Sequence, residues 1–295
     1  MTDGLIIINK EEGLTSQAVV TRVKRLLNIP KAGHTGTLDP MATGVLPVLV
    51  GRGVKASEFM LTSDKHYSAT LLLGITTDTE DVTGAVLSSS DEIPDEGRVL
   101  AAAESFVGEY LQTPPMYSAL KIGGKKLCDL AREGVTVERE PREVKILSLS
   151  AKKLSEREYF LDVKCSKGTY IRTLCADIGA KLGCGGVMKT LCRESASGFT
   201  LADAVTLTEL ENMSAEERSS RILKTETIFE KYEEIILPPF FARLARAGLE
   251  IYLKKIKLSA TEGERFRLCD SEGFFALGEV RLFEDGLAVK PIRQF

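Results

Sequence analysis

One carboxylate stands alone in a glycine- and threonine-rich stretch, KAGHTGTLDPMATG, Lys31 to Gly44. It is Asp39, set directly before Pro40. A single acid can work as a nucleophile or as a general base, and either task requires it to be held in place. Proline confines the residue before it to extended backbone and fixes its own φ. Gly33, Gly36 and Gly44 permit turns that other residues resist. The stretch is therefore a preorganised platform for one reactive group. The same features suit an aspartate that closes a turn, and the loop taken alone favours that plainer role.

Other chemistries lack their residues. Neither GxxxxGK[ST] nor GxGxxG occurs, so the glycines do not form a known phosphate cradle. His34 lies near Asp39, but no GxSxG or Cys-His arrangement accompanies it. His34 and His66 are far apart and neither has a partner at ligand spacing, so no metal site is expected. The six cysteines (Cys128, Cys165, Cys175, Cys184, Cys192 and Cys269) contain no CxxC pair, which predicts reduced thiols in a cytoplasmic protein.

The elements that must position Asp39 follow from periodicity. Leu5–Asn9 reads as a buried strand. A helix follows in which Val19, Val20, Val23, Leu26 and Leu27 share a face, capped by Thr15 or Ser16. Val45–Val50 reads as a strand, with Pro47 marking an edge or a bulge. In HYSATLLL, Tyr67, Ala69, Leu71 and Leu73 alternate onto one face. Thr76–Gly84 reads as a polar turn-rich loop, Asp95–Val107 as a helix, and Tyr110–Lys126 as an extended, glycine-hinged loop. Lys145–Leu149 and Tyr159–Cys165 read as strands. At Gly168 the period changes from 2 to 3.6, and Ile171, Leu174, Cys175, Ile178 and Leu182 line a helix, with Arg172 in its first turn, one step off the stripe.

After the helical, acidic stretch Thr208–Glu234 and the pair Pro238-Pro239, Ile251–Leu258, Arg265–Cys269, Phe274–Val280 and Leu287–Ile292 read as closely spaced strands. The organisation predicted is a catalytic unit over residues 1–236, of mixed α/β or α+β class, and a small all-β unit over 237–295.

With 295 residues, 43% of them hydrophobic, the chain can bury a substantial core. No run of 18 apolar residues suggests a membrane span, and the N-terminus lacks the basic region of a signal peptide. The net charge of −3 speaks against a polyanion partner until its distribution is considered. Between Lys121 and Arg193 there are 16 Lys and Arg against 9 Asp and Glu, whereas between Leu201 and Phe240 there are 4 against 9. A basic middle beside an acidic segment suits one polyanion-binding face, although ordinary solvated surface gives a similar pattern.

The segments NKEEGLTS, KAGHTGTLDPMATGVLPVLVG, DKHYSATLLLGITTDTEDVTG, TPPMYSALKIGGKK, CSKGTYIRTLCADIGAKLGCGG and LCRESASGF occur in this order. Together they resemble the TruB family of bacterial tRNA pseudouridine synthases over roughly residues 4–210, and the last strands resemble a PUA-type RNA-binding module, which implies an α+β catalytic domain around a mixed, largely antiparallel sheet followed by a PUA-like module. The resemblance implies that a monomer isomerises uridine 55 in the TΨC stem-loop of tRNA to pseudouridine, with no cofactor, metal or membrane. The uracil would leave C1′, rotate and rejoin through C5. Asp39 matches the family's catalytic aspartate, and Arg172 the arginine that pairs with it and keeps it ionised. Tyr67 matches the tyrosine that stacks on the extruded uracil, Tyr170 lines the pocket, and Leu191 forms its apolar wall. His34 matches the histidine that fills the space left by base flipping. Lys10 matches a lysine supporting the site. Lys121, Lys125, Lys126, Lys164 and Lys167 are candidates for phosphate contacts.

Two positions depart from the family pattern. Glu11 stands where proline follows the lysine, and Cys128 where an aromatic residue is common. Two rival functions are a guide-RNA-dependent synthase acting on ribosomal RNA, whose usual Lys-rich tails are not seen in VKPIRQF, and a non-catalytic tRNA-binding or RNA-folding module, against which the joint presence of Asp39, Tyr67 and Arg172 speaks.

Overall fold

A computed structural model describes residues 3–295. Among these residues a nine-stranded sheet forms the larger layer. Its main path runs from Gly4–Lys10 through Thr43–Val50, Gly186–Ala196, Lys65–Leu73, Glu158–Cys165 and Arg142–Lys153 to Gly108–Gln112. Ala32–His34 and Phe199–Thr200 pair beside this path. Most pairings are antiparallel, but Thr43 and Gly44 run parallel to Cys192 and Arg193, so the sheet is mixed. The α+β class with a largely antiparallel sheet is thus the architecture found.

Local sequence explains the pieces that matter for the site. In Lys65–Leu73, Tyr67, Ala69, Leu71 and Leu73 are buried and the intervening side chains are not, as alternation requires. Thr15 rather than Ser16 caps the helix Ser16–Leu26, its hydroxyl accepting from Ala18 N at 3.1 Å. Pro47 lies inside a strand paired on both sides rather than at an edge. Its carbonyl accepts from Thr35 N, so its missing N–H faces the same side, where the strand changes neighbour between Gly44 and Val48.

The helix Ile171–Leu182 lies against the start of the Gly186–Ala196 strand. A Cβ on Gly179 would stand 2.1 Å from Gly186 N, so glycine is what lets helix and strand approach. This seating places the helix N-terminus, with Tyr170 and Arg172, over the sheet.

Further sequence expectations change. Tyr110–Lys126 is not loop throughout: Tyr110–Gln112 belongs to the sheet strand Gly108–Gln112, and Lys121–Ile122 pairs with Lys125–Lys126 as a hairpin. Gly186–Ala196 is a long strand that periodicity did not reveal, because register shifts between Met188 and Thr190 and between Arg193 and Ser195 break its alternation. Ile251–Leu258 is strand only at Ile251–Tyr252 and then turns into the short helix Leu253–Ile256.

A second sheet of five strands runs Glu234–Ile236, Arg265–Asp270, Gly273–Phe283, Gly286–Gln294, Ile251–Tyr252. Its contact with the larger layer is aromatic. Phe59 meets Phe229 edge-on at 5.3 Å, and Phe229 continues to Phe274 and Phe295. Glu58 to Arg293 and Lys55 to the Gln294 carbonyl add polar ties. Among the described residues no helix is long and apolar enough to cross a membrane.

Candidate active site

The loop around Asp39 is gripped by three side chains outside it. Lys10 ends its strand fully buried, and its Nζ donates to the carbonyls of Leu14, Glu11 and Pro40 at 2.7, 3.0 and 3.1 Å. Ser16 is bonded twice to Leu38: its Oγ donates to the carbonyl at 3.1 Å and accepts from the amide at 2.8 Å. Arg193, only 1% exposed, donates from Nε to Val45 O at 2.7 Å and from Nη2 to Gly36 O at 3.0 Å. Its backbone also lies against Gly44, where φ is +104° and a Cβ would stand 2.3 Å from Arg193 O. The rigidity of the loop is therefore imposed by buried donors on its carbonyls, beyond what Pro40 supplies.

Asp39 faces Arg172. Arg172 Nε stands 3.0 Å from Asp39 Oδ2, and Nη2 donates to Oδ1 at 3.4 Å. The rest of the guanidinium is fully engaged. Nη2 donates to Tyr117 O at 2.8 Å and Nη1 to Thr79 O at 3.1 Å, while Asp81 Oδ2 lies 3.6 Å from Nη1. Asp81 is itself fixed by Thr79 Oγ1 at 2.7 Å and the Thr83 amide at 2.9 Å. Arg172 and Asp81 each keep 6% of their side-chain surface, whereas Asp39 keeps 34%, so Asp39 is the member of the trio that a substrate can touch.

Electrostatics refine the expected role of the arginine. Burial holds the Asp39 carboxyl above its ordinary value; Arg172 and Lys10 oppose that rise and Asp81 reinforces it. The cation limits the upward shift without reversing it. Burial also lowers Lys10 to about 8 and pushes the Tyr67 hydroxyl up, with Arg193 opposing the latter. His34 is lowered by burial and then by Arg193, which favours the neutral imidazole.

The other sequence-predicted residues take distinct places. Tyr67 is buried in the strand, at register with Val163 and Arg193. Tyr170 precedes the Arg172 helix and is clamped through its backbone by the buried Gln112, which accepts from its amide at 2.8 Å and donates to its carbonyl at 3.0 Å. Leu191 is buried at register with Ala69, and with Met41, Thr43 and Thr70 it lines a cavity of about 260 Å³. His34 ends the Ala32–His34 strand and accepts from Gly36 N at 3.4 Å, a few residues before the carboxylate. Lys121, Lys125, Lys126, Lys164 and Lys167 are all exposed.

The departures are structurally mild. The Glu11 carbonyl takes part in the Lys10 cage, and the Glu11 side chain accepts from Thr208 Oγ1 at 3.2 Å. Cys128 lies in the short helix Leu127–Arg132, away from the carboxylate loop in sequence.

Sequence reasoning missed Asp81, Arg193, Ser16 and Gln112 as parts of this cluster. Asp81 lies in a stretch that reads as a turn, and Ser16 reads only as a cap. A larger cavity of about 660 Å³ lies at the junction of the two sheets, lined by Phe59, Phe229, Tyr232, Arg281 and Arg293 among others, and shares no lining residue with the Asp39 cluster. The chemistry is marked by the polar geometry rather than by cavity size. Glu226, Glu234 and Cys269 also converge, but the Arg267 guanidinium already pairs with both acids.

Residues 24–171 match the family described as TruB family pseudouridylate synthase (N terminal domain), and residues 172–238 match the tRNA pseudouridylate synthase B C-terminal domain. The tRNA pseudouridine synthase B of Alkaliphilus oremlandii is 50% identical over 209 residues, spanning 71% of this chain and 70% of that protein. The protein of the same name from Burkholderia pseudomallei is 42% identical over 288 residues, spanning 97% and 95%. Among solved structures, a chain of a Cbf5-Nop10-Gar1 complex superposes with a TM-score of 0.74 at 24% identity, covering 99% of this chain and 85% of that one, a likeness of fold.

Proposed function

The chain belongs to the TruB family of pseudouridylate synthases, and from that membership we infer that it isomerises uridine 55 in the TΨC stem-loop of tRNA to pseudouridine, acting as a monomer. The observation that carries the reading is the partly open Asp39 carboxylate on the buried Arg172 guanidinium, in a loop whose backbone is fixed from outside. The reaction is an isomerisation: the N1–C1′ bond breaks, the uracil turns, and a C5–C1′ bond forms while the C5 proton is lost and N1 is protonated. Asp39 acts on the ribose or the base, as nucleophile or as the group that takes a ribose proton.

The remaining assignments follow from position. Uridine inside a folded loop must be extruded, at a cost of a few kcal/mol. Neutral His34 takes the vacated space, Tyr67 stacks on the flipped uracil, and Tyr170 and Leu191 line the pocket. Lys10 supports the loop through its three carbonyl contacts and is not given a chemical step. The exposed lysines position the phosphate backbone. We assign catalysis to residues 1–236 and a PUA-like RNA-binding role to 237–295, with Glu234–Ile236 reaching over to pair with the second sheet.

The test is release of tritium from C5-labelled uridine in an unmodified tRNA transcript. The wild-type protein is expected to release it and Asp39→Ala to show none above background. Asp39→Ala should still bind tRNA, because phosphate contacts supply much of the affinity. Equal release by both proteins would falsify the assignment.

A further inference from the structure

The turn that faces Arg172 contains a residue with no part in the steps above. Glu80 has φ +63°, a left-handed conformation that residues with a Cβ rarely adopt. That bend places two neighbours on one guanidinium: the Thr79 carbonyl and the Asp81 carboxylate both meet Arg172 Nη1. The backbone at the bend is docked on the sheet, since Met188 N donates to Glu80 O at 3.0 Å and Val82 N to Met188 O at 3.1 Å. The Glu80 side chain then reaches the helix itself. Thr173 Oγ1, on a residue only 3% exposed, donates to Glu80 Oε2 at 2.5 Å.

We propose that Glu80 is a positioning residue for the isomerisation, holding the Thr79–Asp81 turn against the helix at Thr173 so that Arg172 presents Nε to Asp39. This rests on the reading of Asp39 and Arg172 given above. The geometry gives the turn two ties to the helix, one through Arg172 and one through Thr173. Arg172 makes the first with the same guanidinium that must also face Asp39, so by itself it would both set the turn and be set by it. Glu80 supplies a tie that does not involve the working group. A residue that fixes the orientation of a catalytic partner affects rate by geometry, and small displacements there are costly.

The experiment uses the full chain, with Glu80→Ala, Glu80→Gln, Glu80→Gly, Thr173→Val and the Glu80→Ala/Thr173→Val double variant. Single-turnover tritium release, tRNA Kd by filter binding and the thermal midpoint are measured for each. Glu80→Ala and Thr173→Val are expected to slow the single-turnover step about fivefold or more, the order of one lost hydrogen bond, with Kd within twofold of wild type. Glu80→Gln keeps an acceptor for Thr173 and should retain at least half the wild-type rate. The double variant should be no slower than Glu80→Ala, because both changes cut the same tie. Glu80→Gly removes the side chain while relieving the backbone, so it should also be slow even where Glu80→Ala folds poorly. A Glu80→Gly rate within twofold of wild type, a Glu80→Gln rate as low as that of Glu80→Ala, or parallel loss of binding and rate would overturn the positioning role alone. A wild-type protein without tritium release would overturn the proposed reaction and this role with it.

Discussion

Asp39 and Arg172 are 133 residues apart in the chain, yet Oδ2 and Nε are 3.0 Å apart in space. One lies in the segment matched by the N-terminal family domain and the other is the first residue of the segment matched by the C-terminal one. The pair joins the carboxylate loop to the first turn of the helix Ile171–Leu182.

Every nitrogen of the Arg172 guanidinium has an acceptor, and lysine has no planar fork with which to meet them. Arg172→Lys should keep a positive charge but lose the geometry. A fall in the single-turnover rate of about 100-fold is expected, the scale of a misplaced reacting group, with tRNA binding little changed. Single-turnover tritium release beside filter binding checks it, and a rate close to wild type would mean that charge alone suffices.

The upward shift of Asp39 has opposite consequences for stability and for rate. The unfolded chain ionises this group near its ordinary value of 3.8, and the folded protein at a higher pH because of burial. Its contribution to stability is therefore fully present below 3.8 and lost as pH rises through the folded value. On the proposed role of Asp39 the carboxylate is the working form, so activity should appear over that same rise. The acid limb of the single-turnover pH profile is expected to have its midpoint above 3.8. A midpoint at or below that value would contradict the dominance of burial.

Gly44 tolerates no side chain in its present place, since a Cβ would meet Arg193 O at 2.3 Å and Arg193 N at 2.7 Å. Gly44→Ala should push apart the parallel pairing of Gly44 with Arg193 and free the loop behind Asp39. A loss of about 2–4 kcal/mol in a denaturant titration is expected from the left-handed φ plus the displaced backbone, with a matching loss of rate. Unchanged stability would show that the strand can shift without disturbing the site.

Lys121, Lys125 and Lys126 form a small exposed hairpin in which Lys125 meets Glu133 at 3.6 Å, too exposed to neutralise the patch. Changing each to Gln should weaken tRNA binding and lower the slope of log K against log salt by about 1 for every lysine that touches a phosphate. A slope that stays at the wild-type value would place the phosphates elsewhere.

The places of Asp39, Tyr67 and Arg172 on their elements were legible because they lie in long local patterns, whereas their roles came from the family resemblance. The Pro40 restriction on Asp39, the alternation around Tyr67 and the change of period before Arg172 are properties of neighbouring residues. Arg193, Asp81 and Gln112 were not legible for a corresponding reason. Their partners in the cluster are remote in sequence, Gly36 for Arg193 (157 residues away), Arg172 for Asp81 and Tyr170 for Gln112, and nothing near them in the chain points to those groups. Lys10 was expected as a support, but its complete burial follows from Leu14 and Pro40 closing around its ammonium group, which no periodicity reports. The Gly186–Ala196 strand was hidden by its own register shifts. That the loop by itself favours a turn aspartate has the same explanation: what makes Asp39 more than a turn residue lies outside the loop.

The grip of Lys10, Ser16 and Arg193 on the loop has a consequence for protein engineering. Residues 31–44 are not a portable cassette. Grafted onto another scaffold, they would carry the carboxylate and the proline but leave behind the donors that hold their carbonyls. A transplant that hopes to keep the posture of Asp39 must bring Lys10 at the end of one strand, Arg193 from within another and Ser16 in the first turn of a helix.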